Sequence, residues 1–367
     1  MSDSRYINIA QKIDNDPKTA PKTKDKTAFQ KSFIEYLKLL YSPEEADIIQ
    51  HLNFPPALLT AQQVAENSGI DLSKVEKVLK GASKENRIMG MGDFYFLPVI
   101  SNLINIHHFY TETKPDDLRA AELYQDFFIK GEYYKYYESS EKGTQALRTI
   151  PVGKAIHEDQ KTISSEEAHE FLLNHTPEEL ALVPCPCRVR TEKMEIRECK
   201  DKFPIASCIM MGFSALHFES IGLGKRITRH QAIEYFDEMN KLGLIGNTSN
   251  SIDNSNVICL CCGCCCSNVR GRTKWDNPSA VSPANYIPKA GEECVGCGEC
   301  VDRCVLEALS IDDETNQVVV EPDKCLGCGV CTFACPQETL KLHRYERTTP
   351  FSTYQELYDT IGRENRE

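Results

Sequence analysis

The first hundred residues alternate between apolar positions at helical spacing and short polar breaks. Apolar side chains recur every three or four positions over residues 29–40, which predicts a helix. Ser42 and Thr60 each stand three residues before a Glu or Gln, the capping box of a helix N-terminus, and predict two further helices. Residues 70–87 predict a fourth helix, and residues 87–99 predict a short β-hairpin.

Helical patterning continues through the middle of the chain. Residues 100–147 contain the tyrosines Tyr133, Tyr134, Tyr136 and Tyr137, which we interpret as a packing face. A strand is predicted over residues 148–152 and a helix over residues 164–175, capped by Ser164 or Ser165. A capping box at Thr228 predicts another helix that ends at Gly243.

Two polar stretches, residues 246–256 and 277–291, are predicted to be linkers because they lack a sustained apolar period. A final helix is predicted around Tyr354, Leu357 and Ile361. The pattern as a whole predicts an α+β multidomain protein, with a mostly helical N-terminal region and an α domain in the middle.

The cysteine content changes this picture. The 367 residues include 18 cysteines, and 54 acidic against 42 basic side chains give a net charge of −12. A chain of this length does not depend on disulfides to fold, and its first residues lack the apolar segment of a signal peptide. We therefore expect a cytoplasmic protein, without a membrane span, whose reduced thiols bind metal. The acidic balance argues against nucleic acid as the main partner.

Two cysteine runs near the C-terminus share the spacing Cys-x2-Cys-x2-Cys-x3-Cys. The first run is Cys294, Cys297, Cys300 and Cys304, and the second is Cys325, Cys328, Cys331 and Cys335. A doubled run of this kind is typical of iron–sulfur ligands. Structural zinc, the alternative, takes four ligands in two separated pairs.

Through these runs, residues 290–345 resemble the bacterial two-cluster ferredoxin family. The resemblance implies two [4Fe-4S] clusters that exchange ligands, since the fourth cysteine of each run serves the other cluster. One cluster would be held by Cys294, Cys297, Cys300 and Cys335, and the other by Cys325, Cys328, Cys331 and Cys304. Val305 stands where the family usually has proline, which does not ligate.

The other ten cysteines lie between residues 185 and 266. They are Cys185, Cys187, Cys199, Cys208, Cys259, Cys261, Cys262, Cys264, Cys265 and Cys266. Six of them fall within eight residues, which favours one or two further iron–sulfur clusters over zinc or buried, unligated cysteine. Because adjacent cysteines project in different directions, thiols of this run are expected to reach at least two sites or to leave some unligated.

Basic residues accompany these cysteines, namely Arg188, Arg190, Arg197 and Lys200. Positive charge beside a cluster would raise its reduction potential. The alternative is a solvated face, since acidic residues alternate with the basic ones.

The order of features resembles a family of multi-cluster iron–sulfur proteins of anaerobic bacteria and archaea, through PCPCR at residues 184–188 and ICLCCGCCC at 258–266. Residues 42–98 resemble a winged helix-turn-helix through the order helix, turn, helix, hairpin. The predicted divisions are a flexible leader (1–26), a winged-helix-like domain (27–100), a helical connecting region (101–183), a cysteine-rich iron–sulfur domain (184–275), a two-cluster ferredoxin domain (286–345) and a C-terminal helix (346–367).

Three functions are compatible with these features. The leading hypothesis is an electron-transfer protein that relays electrons to or within an anaerobic oxidoreductase complex, its redox partner, rather than a stand-alone enzyme. No catalytic constellation is recognisable. A redox-sensing DNA-binding regulator is the first alternative, because Lys74, Lys77, Lys80 and Lys84 share one side of the fourth helix, although residues 1–100 balance 13 basic against 13 acidic side chains. The second is a reductase with a substrate-binding cluster among the ten middle cysteines.

Overall fold

The computed structural model describes residues 3–157 and 166–367, and these form two compact units. The first unit comprises the residues up to Tyr137 with Val189–Ile196 and Gly362–Glu367, and the second comprises Glu138–Arg188 and Arg197–Ile361. All 18 cysteines belong to the second unit. Within the described ranges, no helix combines the length and apolar character needed to cross a membrane.

The α-helices of the described residues follow in chain order. They are α1 (Ser4–Ile13), α2 (Lys31–Leu40), α3 (Pro43–Ile49), α4 (Ala61–Ser68), α5 (Leu72–Lys84), α6 (Ile100–Leu103), α7 (Asp117–Tyr124), α8 (Tyr134–Glu138), α9 (Ala168–Asn174), α10 (Pro186–Lys193), α11 (Phe213–Ser220), α12 (Arg229–Leu242), α13 (Val269–Lys274), α14 (Glu299–Arg303) and α15 (Tyr354–Glu364). Short 3-10 turns occupy Ile106–His108, Gly153–Ala155 and Val330–Ala334, and a π-helical segment follows α7 at Gln125–Lys130.

The strands are β1 (Leu59–Thr60), β2 (Met89–Met91), β3 (Phe94–Phe96), β4 (Leu147–Thr149), β5 (Leu180–Pro184), β6 (Ser207–Met211), β7 (Lys225–Ile227), β8 (Ile245–Ser249), β9 (Ser251–Asp253), β10 (Val257–Cys261), β11 (Tyr286–Ala290), β12 (Leu309–Ile311), β13 (Val318–Val320), β14 (Leu340–Arg344) and β15 (Phe351–Thr353).

The first unit begins its helices where the capping signals predict them. The Ser42 hydroxyl accepts a hydrogen bond from the Glu45 amide at 3.3 Å, and Thr60 accepts one from the Gln63 amide at the same distance. The two reciprocal bonds of a capping box are present at both ends. Strands β2 and β3 form the predicted hairpin, and β1 pairs with β3. Among the clustered tyrosines, Tyr133 is almost fully buried, which agrees with a packing face.

The predicted flexible leader is wrong for residues 4–13, which form α1. Tyr6, Ile9, Ala10 and Ile13 are buried along one face of this helix. Their spacing of three, one and three positions is an amphipathic stripe, which gives a helix a surface to bury. The lysines and prolines that follow α1 make the segment as a whole polar, and the helical spacing of its few apolar residues was therefore missed.

The middle domain is built on a sheet, so the prediction of a cysteine-rich α domain is wrong. Six strands lie in the order β4-β8-β10-β6-β5-β7, and every neighbouring pair is antiparallel. The sheet buries Ile209, Ile258 and Leu260 in one core with Phe171 of α9 and Phe236 of α12. Helix α12 begins at the predicted capping box and ends at Gly243, as expected. The predicted cap at Ser164 or Ser165 lies outside the described residues.

The two predicted linkers also contain strands. Residues 246–256 include most of β8 and all of β9, and every residue of β8 is buried. Polar side chains are tolerated there because they pair internally, as Thr149 Oγ1 donates to Asn247 Oδ1 at 2.8 Å and Thr248 Oγ1 lies 2.7 Å from Ser255 Oγ. Residues 286–290 of the second linker form β11, which pairs with β14.

Candidate metal centres

The two C-terminal cysteine runs fold as two copies of one backbone motif, 31 residues apart. Gly296 and Gly327 have φ values of 65° and 66°, and Gly298 and Gly329 both have 81°. In each copy the fourth cysteine follows a short helical turn, α14 in the first and Val330–Ala334 in the second. The equal spacing therefore gives equal geometry, so that each run presents its cysteines in the same way.

Gly327 shows why this motif needs glycine. Its φ lies in the left-handed region, and a Cβ there would stand 2.3 Å from the Tyr286 carbonyl oxygen. No side chain fits so close to a backbone oxygen. The amide of Gly327 donates instead to Cys325 Sγ at 3.3 Å, a bond that stabilises sulfur as a thiolate.

The structure brings the eight C-terminal cysteines together as two groups of four. Cavity A is lined by Cys294, Cys297, Cys300 and Cys335. Cavity B is lined by Cys304, Cys325, Cys328 and Cys331. Each cavity thus takes three cysteines from one run and the last cysteine from the other, which is the grouping that the ferredoxin resemblance implies.

The two cavities differ in exposure. Cys297 at cavity A is exposed, and its neighbour Val295 is 55% exposed. At cavity B, burial raises the pKa of the Cys325 thiol and raises that of Cys328 to about 12. Four thiols around an enclosed space are a donor set suited to a metal cluster, and binding releases their protons.

Strand register places four of the ten middle cysteines on one face of the six-stranded sheet. Cys208 on β6 lies opposite Val183, and Cys185 follows Val183 by two residues. On β10, Ile258 pairs with Ile209 of β6, so Cys259 falls opposite Cys208 and Cys261 shares its face. Side chains alternate along a strand, and therefore these thiols point the same way.

Cys187 of α10 and Cys266 after β10 close this set into a ring, here called the six-thiol ring. The thiols hydrogen-bond in the order Cys185, Cys208, Cys259, Cys261, Cys266, Cys187 and back to Cys185. Cys266 Sγ lies 3.2 Å from Cys261 Sγ. Backbone amides also reach the ring, since Ser267 donates to Cys187 Sγ at 3.4 Å and Asn268 donates to Cys266 Sγ at 3.4 Å. Six sulfurs exceed the four that one tetrahedral ion takes.

The remaining four middle cysteines form a separate set, here called the four-thiol group. Cys199, Cys262, Cys264 and Cys265 place their sulfurs within 4.8 Å of one another. Cys262 directly follows Cys261, and the change of direction between adjacent residues sends the two thiols to different sets. The expectation that this run reaches two groups of thiols agrees with the geometry.

Charge in this region centres on one thiol and one arginine. Thiols of Cys199, Cys264 and Cys265 hold the pKa of Cys262 well below its ordinary value, because they donate hydrogen bonds that stabilise its thiolate. Arg188 is 1% exposed. Burial lowers the pKa of Arg188, but its electrostatic interaction with Cys185 and Cys262 outweighs burial and raises it.

The four basic residues singled out in the sequence therefore have different environments. Arg188 lies among the middle cysteines, whereas Arg190 belongs to the first unit, where it stacks 3.5 Å from the Tyr124 ring centroid. Both are buried, so a solvated face is wrong for these two. Arg197 donates to the Phe203 carbonyl oxygen.

Sequence analysis did not single out Asn247, which the structure places beside a cysteine. It pairs with Cys259 across β8 and β10, and its side chain helps to lower the pKa of the Cys261 thiol. Thr149 occupies the amide oxygen of Asn247, which leaves the amide nitrogen as the donor. No alternation of apolar and polar residues marks this strand, because residues 245–249 read Ile-Gly-Asn-Thr-Ser.

Comparison with known proteins reaches the C-terminal segment alone. Residues 293–339 match the family described as the 4Fe-4S dicluster domain. No curated protein and no solved structure matches the chain. The matched segment contains all eight cysteines of the two C-terminal runs. Together with the middle cysteine groups, this match supports an iron–sulfur protein.

Proposed function

We propose that the protein is an intracellular electron-transfer protein that carries two [4Fe-4S] clusters in cavities A and B and further iron–sulfur chemistry among residues 185–266. When bound, such clusters supply one-electron transfer. The chain supplies ligands, charge and contact between the sites. The partner would be an oxidoreductase of an anaerobic pathway, to which this protein delivers electrons.

The observation that carries the proposal is a wall shared by two of the sites. Leu306 and Leu326 line cavity B. Leu326 belongs to a buried hydrophobic cluster with Cys261 and Cys266 of the six-thiol ring, and Leu306 and Cys259 pack against that cluster. Apolar side chains therefore run from cavity B to the ring, and Leu326 among them is fully buried while Leu306 is half-buried.

Cavities A and B are joined in a similar way. Cys300 of cavity A and Cys331 of cavity B belong to one buried cluster with Leu309 and Leu340. The contacts thus order the thiol groups as cavity A, cavity B and six-thiol ring. Since Cys297 is exposed, cavity A is the end at which a redox partner would exchange electrons.

The regulator hypothesis is less well supported. In the winged-helix interpretation, α5 would be the recognition helix, yet Lys80 Nζ lies 3.0 Å from Glu76 Oε2 and Lys74 Nζ lies 3.5 Å from Glu44 Oε2. The acidic partners offset part of the positive charge that binding to phosphates requires. We expect no salt-dependent binding of duplex DNA by the oxidised or the reduced protein in a fluorescence anisotropy titration.

The reductase hypothesis needs a site that a substrate can reach. In the six-thiol ring, Cys185, Cys208, Cys261 and Cys266 are buried, and Cys187 and Cys259 are half-buried. A ring closed on itself by thiol contacts offers a substrate little access. Electron relay requires no such opening.

The test is metal analysis of the full chain purified without oxygen, combined with electron paramagnetic resonance during stepwise reduction. Two four-iron clusters contain about eight irons and eight sulfides, and the proposal requires more iron and sulfide per chain than that. It also requires reduced-state signals, in addition to those of cavities A and B, that disappear in Cys208→Ser but persist in Ser310→Ala, a control at an exposed serine of β12. If the protein contains only about eight irons and no redox-active metal in the middle domain, the proposed electron path beyond cavity B is wrong.

A further inference from the structure

The sulfurs of the four-thiol group lie closer together than the four ligand sulfurs of a four-iron cluster need to lie. Cys199 Sγ lies 3.9 Å from Cys262 Sγ and 3.7 Å from Cys265 Sγ. Cys264 Sγ lies 3.7 Å from Cys262 Sγ and 3.5 Å from Cys265 Sγ. The other two pairs, Cys199 with Cys264 and Cys262 with Cys265, have their sulfurs within 4.8 Å. Four points that each lie close to the other three define a tetrahedron.

The size of this tetrahedron matches one metal ion. A tetrahedral ion with metal–sulfur bonds of about 2.3 Å holds its sulfurs about 3.8 Å apart. The four Sγ–Sγ distances given above, 3.5 to 3.9 Å, lie on either side of that value. A four-iron cube binds each ligand sulfur at a different iron, on a different corner, which sets the sulfurs farther apart than the edge of a single ion's tetrahedron.

The surroundings hold the four-thiol group in this arrangement. Thr273 Oγ1 of α13 donates to the Gly263 carbonyl oxygen at 2.6 Å, which fixes the turn between Cys262 and Cys264. A Cβ on Gly263 would lie 3.2 Å from Thr273 Cγ2 and 3.4 Å from Val305 Cβ, so the turn is packed from both sides. Cys262 and Cys265 are 2% and 1% exposed. A preorganised and water-excluded site favours a structural or redox-active ion over an exchanging one.

Charge balance points the same way. Four thiolates around a divalent ion carry a net charge of about −2, which burial makes unfavourable unless a cation is near. Arg188 is buried and interacts electrostatically with Cys262 of this group. One guanidinium offsets part of such a charge.

We infer that Cys199, Cys262, Cys264 and Cys265 bind one iron or zinc ion as a tetrathiolate, without inorganic sulfide. The inference deepens the proposed function, in that it restricts sulfide-containing clusters of the middle domain to the six-thiol ring. Iron at this site would add a one-electron centre, whereas zinc would brace the turn that carries the cysteine run.

The experiment compares two double variants of the full chain, purified without oxygen. Cys199→Ser with Cys264→Ser alters the four-thiol group, and Cys208→Ser with Cys259→Ser alters the six-thiol ring. Iron, zinc and sulfide are measured per chain, and the spectra of the clusters in cavities A and B serve as the control for folding. We expect the first variant to lose about one metal ion, iron or zinc, and no sulfide. Loss of about four irons with as many sulfides would overturn the inference.

The unaltered protein provides a second test in case the first variant does not fold. If the ion is zinc, X-ray absorption at the zinc edge should show four sulfur neighbours at about 2.3 Å and no metal neighbour. If it is iron, Mössbauer spectroscopy of protein grown on iron-57 should show one isolated high-spin iron in addition to the clusters. Absence of any such ion would contradict the inference. The ring variant tests the proposed function separately, because unchanged iron and sulfide there would remove the middle-domain cluster and leave the four-thiol result standing.

Discussion

Arg188 Nη2 donates a hydrogen bond of 2.5 Å to the carbonyl oxygen of Leu260, the residue that separates Cys259 from Cys261. Its Nη1 donates to the Ile205 carbonyl oxygen at 3.0 Å. The guanidinium is thus fixed by backbone oxygens while its charge faces the thiols. Arg188 both braces the strand that carries the ligands and adds positive charge beside them.

Replacing Arg188 by methionine should make the middle-domain centres harder to reduce. Loss of a buried positive charge destabilises the more negative, reduced state, and a fall in potential of about 60 mV corresponds to about 1.4 kcal/mol for a one-electron couple. Potentiometric titration of the anaerobic protein measures this shift. Arg188→Lys should recover part of it, and Arg226→Met, at an exposed ion pair with Glu219, should leave every potential unchanged. Equal potentials in Arg188→Met and the parent protein would refute a tuning role.

The exchange of cysteines between the two C-terminal runs predicts unequal outcomes for paired substitutions. Cys297→Ser combined with Cys335→Ser should remove one cluster, because both residues line cavity A. Cys297→Ser combined with Cys304→Ser should remove two, since Cys304 lines cavity B. Iron analysis and electron paramagnetic resonance count the clusters. The reverse result would mean that each run binds its own cluster.

Substitutions at Gly327 and Gly298 distinguish the cost of a positive φ from the cost of a steric clash. Gly327→Ala should abolish the cluster of cavity B, because its Cβ would meet the Tyr286 carbonyl oxygen at 2.3 Å. Gly298→Ala, at a similar positive φ with nothing within 4 Å of the new Cβ, should cost about 1–2 kcal/mol and keep both clusters. The measurement is iron content together with the urea midpoint of unfolding. Retention of all iron by Gly327→Ala would show that the backbone can move away at this point.

Leu326→Ala should destabilise the second unit by about 2–5 kcal/mol, as expected for a fully buried leucine that leaves a cavity. The urea midpoint of the anaerobic protein reports the change. Leu216→Ala, at a side chain that is 43% exposed, is the matched control and should change the free energy of unfolding by about 0.5 kcal/mol or less. If the two variants unfold at the same midpoint, the wall between cavity B and the six-thiol ring does not carry the packing described for it.

The sequence predicted the parts of this structure that local chemistry determines. Capping boxes at Ser42, Thr60 and Thr228 mark helix starts because the bonds that form them lie within four residues. The grouping of Cys335 with Cys294 followed from a resemblance, since no local rule brings together cysteines so far apart. The π-helical segment after α7 has no signature in its residues that we recognise.

Long-range packing decided what the sequence analysis missed. Residues 246–256 have the polar composition of a linker, and they form buried strands only because Asn247 and Thr248 find partners on β4 and after β9. The partition of the ten middle cysteines required the register of β10 against β6. Alternation along a strand could have separated Cys261 from Cys262, had the strand itself been recognised.

Strand β9 has a partner from the far end of the chain. Phe351 of β15 lies beside Ser251 in a parallel pair, and the Phe351 amide donates to the Asn250 carbonyl oxygen at 3.0 Å. On the ribosome this pairing must wait until residue 353 has been made, and the last cysteine, Cys335, precedes that point. The pairing of β9, which lies just before the strand with the cysteine run, is therefore completed only after all 18 cysteines have been translated.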